Sequence, residues 1–322
     1  MKDNVKTAIK SISNIHRPDG SPNVFLFSVP RSGSTWLMEL VWTQPGFKPC
    51  NEPLDLRSSR VRQHLGVSEW QDLYAQNATL ALQSYFQAFC EGQSGFMNPS
   101  LLRRPYRPFT RRIVFKVIHG GEDRIHWFRD TFDGRVVLLL RHPIAVSLSR
   151  EVYPRLRAFL SSDYQRHLTK DQLDYALKVC ETGTELERGV LSWCLQNAIP
   201  LRAATDDWAV VSYEQMVLEP QPVIMHLAYK LELPEPGRML ERLTTPSGVK
   251  AKSDAETQQV LEDATSRRAW LIEKWQRQVS EAEERRAMEI LERFELDVYS
   301  PGDLLPAERL WIGPSNVKSD HG

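Results

Sequence analysis

The string Pro30-Arg31-Ser32-Gly33-Ser34-Thr35-Trp36 holds chemistry that can be named from residue types alone. Backbone N–H groups that open a helix have no intrahelical partner, and with the helix dipole they hold anions. Gly33 lets the chain curl close to a ligand. Ser32, Ser34 and Thr35 add hydroxyl donors, and Arg31 adds a fixed positive charge. The nucleoside-triphosphate loop, G-x-x-x-x-G-K-[ST], is a different object. No glycine stands five positions before Gly33, and Ser34 is found where that loop needs Lys.

A second group follows later in the chain. Arg141 ends an apolar run, and Ser149 lies eight positions on, two turns along a helix that would start at Pro143. Three more residues have the types needed to move a proton or stabilise charge. Lys116 sits among Val, Phe and Ile, where burial requires a partner anion. His119 has the intrinsic pKa of a base near neutral pH, and Glu52 could serve if desolvated.

The elements that position these residues read as α/β. Val24–Val29, Ile113–Ile118, Arg135–Leu140 and Trp208–Ser212 are apolar runs of strand length, rich in β-branched and aromatic residues. Helical patterns lie between them: Thr35–Gln44, Glu122–Thr131 and Ile144–Arg150. A long helical region from Lys170 to Ala204 breaks at Thr182-Gly183. Helices near Pro220–Leu231, Gly237–Arg242 and Ala282–Phe294 follow. Alternation of this kind predicts a central parallel sheet of about five strands between helices, with ligands at the strand carboxyl ends. The expected organisation is a polar lead over 1–22, one domain over 23–299 with a helical cover near 153–204, and an extended tail over 300–322.

Bulk properties narrow the function. The 322 residues carry 41 basic and 41 acidic side chains, which argues against a general nucleic-acid binder but not against a local anion site. The N-terminal stretch lacks a signal peptide's apolar core, and no run reaches the length that spans a bilayer. Cys50, Cys90, Cys180 and Cys194 show no close pair and no metal-type spacing, and no Mg²⁺ or Zn²⁺ ligand set is visible. A cytoplasmic protein with reduced thiols is the expectation.

The loop Pro-Arg-Ser-Gly-Ser-Thr-Trp resembles the 5′-phosphosulfate loop of sulfotransferases that use 3′-phosphoadenosine 5′-phosphosulfate (PAPS), in its bacterial and Golgi-type variant. The fold implied is P-loop-like. The resemblance implies that Arg31 to Trp36 hold the donor, that Arg141 and Ser149 bind its 3′-phosphate, and that Tyr213, with Trp36, packs against adenine. Tyr213 stands in a strand-Tyr-Glu segment whose next residue is Gln215 where relatives have Asp. Arg31 and Lys116 would face the sulfonate. For the base, the Glu52-Pro53 pair matches the bacterial and Golgi-type pattern, and His119 matches the His of cytosolic relatives with one extra residue after Lys116. Glu52 is favoured, since its motif accompanies this loop variant. The Arg-Lys-Gly motif of cytosolic relatives is absent, leaving Lys250, Lys252, Arg267 and Arg268 as substitutes.

The implied reaction needs no metal, and the implied partner is a small-molecule, lipid or carbohydrate acceptor. Its pocket would be built from residues 52–110 and the cover. Tyr85–Phe89 and Phe96–Pro99 are candidates to line it or to be core. The basic run Arg103, Arg104, Arg107, Arg111 and Arg112 is expected to form a solvated face. A P-loop kinase would need a loop Lys and an acidic metal ligand after a strand. A catalytically inactive nucleotide binder would tend to lose Arg31 or Lys116, and both are present.

Overall fold

A computed structural model of the chain describes residues 10, 13–103, 105–150, 153–243 and 265–313. In chain order the first elements are β1 (Ile15–His16), β2 (Asn23–Ser28), α1 (Ser34–Trp42), β3 (Phe47–Asn51), α2 (Ser59–Leu65) and α3 (Ala78–Cys90). Next come β4 (Phe109–Thr110), β5 (Arg112–Val117), α4 (Ile125–Thr131), β6 (Gly134–Leu140), α5 (Pro143–Leu148) and α6 (Leu156–Ser161). The chain continues through α7 (Lys170–Thr182), α8 (Glu185–Ala203), β7 (Ala209–Ser212), α9 (Tyr213–Leu218), α10 (Pro220–Leu231) and α11 (Pro236–Arg242). Helices α12 (Thr265–Glu273) and α13 (Glu281–Arg293) close the series.

Five strands form one parallel sheet in the order β3-β5-β2-β6-β7, and β1 pairs with β4 in a separate two-stranded piece. The class is therefore α/β with a central parallel sheet, as the alternating pattern predicts. Side chains alternate across the sheet. Phe25 and Phe27 of β2 enter a core with Phe115, Phe128 and the cover helices. Val24 and Leu26 enter a second core with Leu37 and Val41 of α1 and Leu227 of α10.

Among the elements that differ from the sequence reading, three have a clear local reason. The strand β3 carries Pro49 and Lys48, which hide it, because proline cannot donate to a ladder. As an edge strand paired only with β5 it needs no such donor. Helix α4 begins at Ile125 and not at Glu122, since Gly121 takes a left-handed φ of +80° and Glu122 turns inward. A short helix, α9, follows β7 directly, capped by Ser212 accepting from the Gln215 N–H. The break between α7 and α8 falls at Gly183, and Thr184 with Glu187 caps α8 as a reciprocal pair.

One open alternative about side chains is decided and one expectation is corrected. Tyr85, Phe86 and Phe89 are core, with the Tyr85 hydroxyl donating to the Pro53 carbonyl at 2.8 Å. The arginine run is not a solvated face throughout. Arg112 is buried and donates to the carbonyls of Pro22, Leu231 and Glu232, while Arg103 pairs with Glu39. Arg104 lies outside the described residues.

The C-terminal segment returns to the sheet. The Gln215 side chain is fully buried and makes two bonds to Ile312, donating to its carbonyl at 2.7 Å and accepting from its N–H at 2.9 Å.

Candidate active site

The loop from β2 into α1 is held open. Arg31 has φ +77° and Gly33 φ +88°, so two of its residues are left-handed. For Arg31 that conformation is strained. The Ser32 N–H donates to the Val29 carbonyl at 3.2 Å and closes the turn. Gly33 occupies the helix cap position, so the cap residue has no side chain to accept from the first N–H groups of α1. A Cβ at Gly33 would meet Tyr213 Cδ2 at 2.7 Å. The ring of Tyr213 is thus packed directly on the loop backbone. Ser32 Oγ is buried with no hydrogen-bond partner among the described residues. A buried donor without a protein partner is costly, which makes this hydroxyl a candidate ligand contact.

Arg141 follows β6, the strand beside β2. Its Nη1 donates to the Arg31 carbonyl at 2.7 Å, and its guanidinium lies 4.3 Å from the Tyr213 ring centroid. Trp36 meets Tyr213 edge-on at 6.3 Å. Gly33, Trp36, Arg141 and Tyr213 are therefore one patch at the carboxyl ends of β2, β6 and β7. Ser149 is the residue after α5, which is shorter than predicted, and its hydroxyl donates to the Val146 carbonyl at 2.8 Å. Lys250 and Lys252 lie outside the described residues, as do the side chains of Arg267 and Arg268.

On the other side of β2 the charged groups meet. Lys116, on the interior strand β5, is 2% exposed. Its Nζ donates to Thr35 Oγ1 at 2.8 Å and to Glu52 Oε1 at 2.8 Å. The partner anion that a buried lysine requires is Glu52. Glu52 follows β3, itself at a left-handed φ of +56°, with its N–H on the Lys116 carbonyl at 3.1 Å. Its Oε2 is 3.3 Å from His119 Nε2. Burial acts to raise the Glu52 pKa, but the His119 hydrogen bond and the Lys116 charge outweigh it and hold it down to about 2. Burial lowers the pKa of His119 and of Lys116, with Glu52 opposing in both. The imidazole is therefore neutral at pH 7.

Arg57 completes this cluster, and sequence reasoning missed it. It is fastened to Asp55 by two bonds of 2.8 and 2.9 Å, and its Nη2 lies 3.1 Å from His119 Nε2. A guanidinium only donates. With its proton on Nε2, His119 donates to Glu52; with the proton on Nδ1, it accepts from Arg57. Glu52, Asp55 and His119 each offer an atom within 4.8 Å of the others, a grouping that spacing in the sequence does not reveal. Lys116 and Arg57 supply the cations these carboxylates face. The only sequence signal for Arg57 is its closeness to Glu52 in the chain.

Behind His119 a polar cluster is buried under the cover. Tyr74 donates to Glu122 at 2.8 Å, and Arg155 pairs with Glu122 and donates to the Ile118 carbonyl at 3.2 Å and to Gln196. The carboxylate and guanidinium hold the strand end that carries His119 against α6 and α8.

No protein-family description and no curated protein sequence matches the chain. The structural likeness falls on sulfotransferases. The sulfotransferase domain of the Synechococcus PCC 7002 olefin synthase has a TM-score of 0.46 and 20% identity, over 88% of this chain and 98% of that one. The sulfotransferase domain of the curacin biosynthetic pathway has 0.44 and 18%, over 86% and 98%. A mouse sulfotransferase complexed with PAP has 0.41 and 13%, over 91% and 90%. Among the described residues no helix is long and apolar enough to cross a membrane.

Proposed function

We propose that this protein transfers a sulfonate group from PAPS to an acceptor hydroxyl or amine. One observation carries the reading: Lys116 joins the anion loop, through Thr35, to Glu52 and His119. An anion site and a proton-accepting site are thus fixed within one side chain of each other. The donor supplies a sulfonate already attached to a phosphate leaving group. Arg31, the hydroxyls of Ser32, Ser34 and Thr35, and the backbone at Gly33 hold its 5′ end. Ser32 Oγ gains there the partner it lacks. Arg141 and Ser149 hold the 3′-phosphate, and Tyr213 with Trp36 flanks the base.

Lys116 and Arg31 stabilise the negative charge that grows on the leaving oxygen. Proton removal belongs to Glu52 and His119 together. While the His119 hydrogen bond and Lys116 both act on Glu52, the carboxylate is too acidic to take a proton near pH 7. An anion that draws Lys116 toward the loop removes one of the groups that hold the Glu52 pKa down; His119 Nδ1 then takes the acceptor's proton as Nε2 gives its own to Glu52, which leaves Nε2 free to accept from Arg57. The reading carries a small-molecule, lipid or carbohydrate acceptor, no resident metal and a cytoplasmic setting. Cys50, Cys90, Cys180 and Cys194 are all free thiols, which fits that setting.

Calorimetric titration with 3′-phosphoadenosine 5′-phosphate, beside ATP with Mg²⁺, tests the proposal on the wild type and Arg141→Ala. Metal-independent binding of the bisphosphate, weakened roughly 100-fold in the variant as expected for a lost bidentate phosphate contact, supports it. A preference for Mg-ATP would make the protein a nucleotide kinase instead.

A further inference from the structure

Behind the patch of Gly33, Trp36, Arg141 and Tyr213 lies a set of bonds that involves neither the loop nor the base cluster. The ladder between β6 and β7 ends at the pair Leu140 and Ser212. On one side the chain continues as Arg141-His142, and on the other as Tyr213-Glu214, which opens α9. The peptide group between Arg141 and His142 has left the sheet, yet both of its polar atoms are bonded. The Arg141 carbonyl accepts from the Trp193 Nε1–H at 2.9 Å, and the His142 N–H donates to Glu214 Oε1 at 2.8 Å. Trp193 comes from α8, in the helical cover. Glu214 Oε2 accepts in turn from the Tyr299 hydroxyl at 3.0 Å. Glu214 is 1% exposed and Trp193 is fully buried. A carboxylate so deep is costly unless donors meet both of its oxygens, and here they do. Burial raises the Glu214 pKa, and the His142 N–H leads the influences that oppose it.

The consequence falls on Arg141. Its Cα is bonded to this peptide group, and a planar peptide held at its carbonyl and its N–H fixes the direction in which the side chain departs. The far end of the side chain is guided as well, with Nη1 on the Arg31 carbonyl at 2.7 Å and the guanidinium 4.3 Å from the Tyr213 ring centroid. The next residue is held on both flanks: the His142 ring stacks on Trp275 with centroids 4.3 Å apart, and Tyr299 meets it edge-on at 5.0 Å. We propose that Glu214 and Trp193 are positioning residues for the donor's 3′-phosphate: by holding the two ends of one peptide group they aim Arg141, and they touch no ligand themselves. The proposal rests on the sulfotransferase reading for the identity of that phosphate.

The test titrates the full chain with 3′-phosphoadenosine 5′-phosphate and with adenosine 5′-phosphate, which differs only by the missing 3′-phosphate. Trp193→Phe removes the indole donor and keeps a ring. Glu214→Leu removes the acceptor, and Glu214→Gln keeps one acceptor oxygen. Melting temperatures confirm folding, and Trp193→Phe decides alone if Glu214→Leu does not fold. Bisphosphate affinity is expected to fall about 5- to 10-fold in Trp193→Phe and Glu214→Leu and less than about 3-fold in Glu214→Gln, with monophosphate affinity unchanged. In an Arg141→Ala background the same substitutions have no further effect on bisphosphate binding, because the residue they act through is gone. Equal losses for the two nucleotides, or losses that persist without Arg141, mean a general loosening and overturn the proposal. So does full bisphosphate affinity in Trp193→Phe and Glu214→Leu. A wild type that binds the bisphosphate no better than the monophosphate brings down the sulfotransferase reading and this proposal together, whereas the other failures leave that reading standing.

Discussion

The loop after β2 and the cluster under the helical cover both place polar groups inside the molecule, and they treat them in opposite ways. In the loop, Ser32 Oγ has no partner among the described residues, Arg31 is strained, and the cap residue of α1 is a glycine with no side chain to cap it. Under the cover, Glu122 accepts from Tyr74 and Arg155, and Arg155 also donates to the Tyr74 hydroxyl, the Ile118 carbonyl and Gln196. Internal satisfaction holds an architecture together, whereas groups left open wait for something from outside. The Lys116–Glu52 pair stands between these cases: it is satisfied now, but by a bond that an incoming anion can compete for.

If that contrast is right, substitutions should separate stability from ligand affinity. The largest stability effect belongs to Arg155→Met, which strands the Glu122 carboxylate. A loss of about 3–5 kcal/mol is expected in chemical denaturation. Gly33→Ala comes next at about 2–4 kcal/mol, because a left-handed alanine would also drive its Cβ into Tyr213. An unchanged melting temperature there would mean that the ring is not seated on the loop.

Glu52→Gln is smaller and depends on pH. Holding Glu52 at about 2, below its ordinary 4.5, is worth at most about 3 kcal/mol by proton linkage, and the burial of Lys116 takes part of that back. The folded-state pKa is depressed, so this stabilisation is complete above roughly pH 5 and vanishes as the pH falls through about 2. Denaturation curves of the two proteins should therefore differ by about 1–3 kcal/mol at pH 7 and converge in acid. A constant gap would show that charge is not its source. The smallest effect on stability is Ser32→Ala, within about 1 kcal/mol of wild type or slightly more stable, while bisphosphate affinity falls roughly five- to tenfold. A clear destabilisation would place the loop in the same class as the cover.

The same contrast explains what the sequence discloses. Arg31 to Trp36 and Arg141 are contiguous with strands whose apolar runs are unmistakable, so both the fold and this half of the site can be read from the chain. Lys116 could be flagged as a lysine in an apolar strand, but its bond to Glu52 depends on β3, which Pro49 conceals. Arg57 is an ordinary arginine in sequence and is defined only by Asp55 and His119. The Glu122–Arg155 cluster is assembled from four separate segments, a juxtaposition that no local pattern encodes.

The two bonds between the Gln215 side chain and Ile312 have a mechanical meaning. An amide side chain here imitates one rung of a strand ladder, donating and accepting as a peptide group would. An aspartate at that position could take the N–H but would confront the carbonyl with its own negative charge. The terminal stretch is thereby pegged to α9, the helix whose first residue is Tyr213. Clipping the chain just before Ile312 would leave a fully buried amide empty on both sides, and the slack would appear first in the helix that seats Tyr213 against the loop. A protease acting at the far end of the polypeptide would thus loosen the loop after β2 without touching any residue of it.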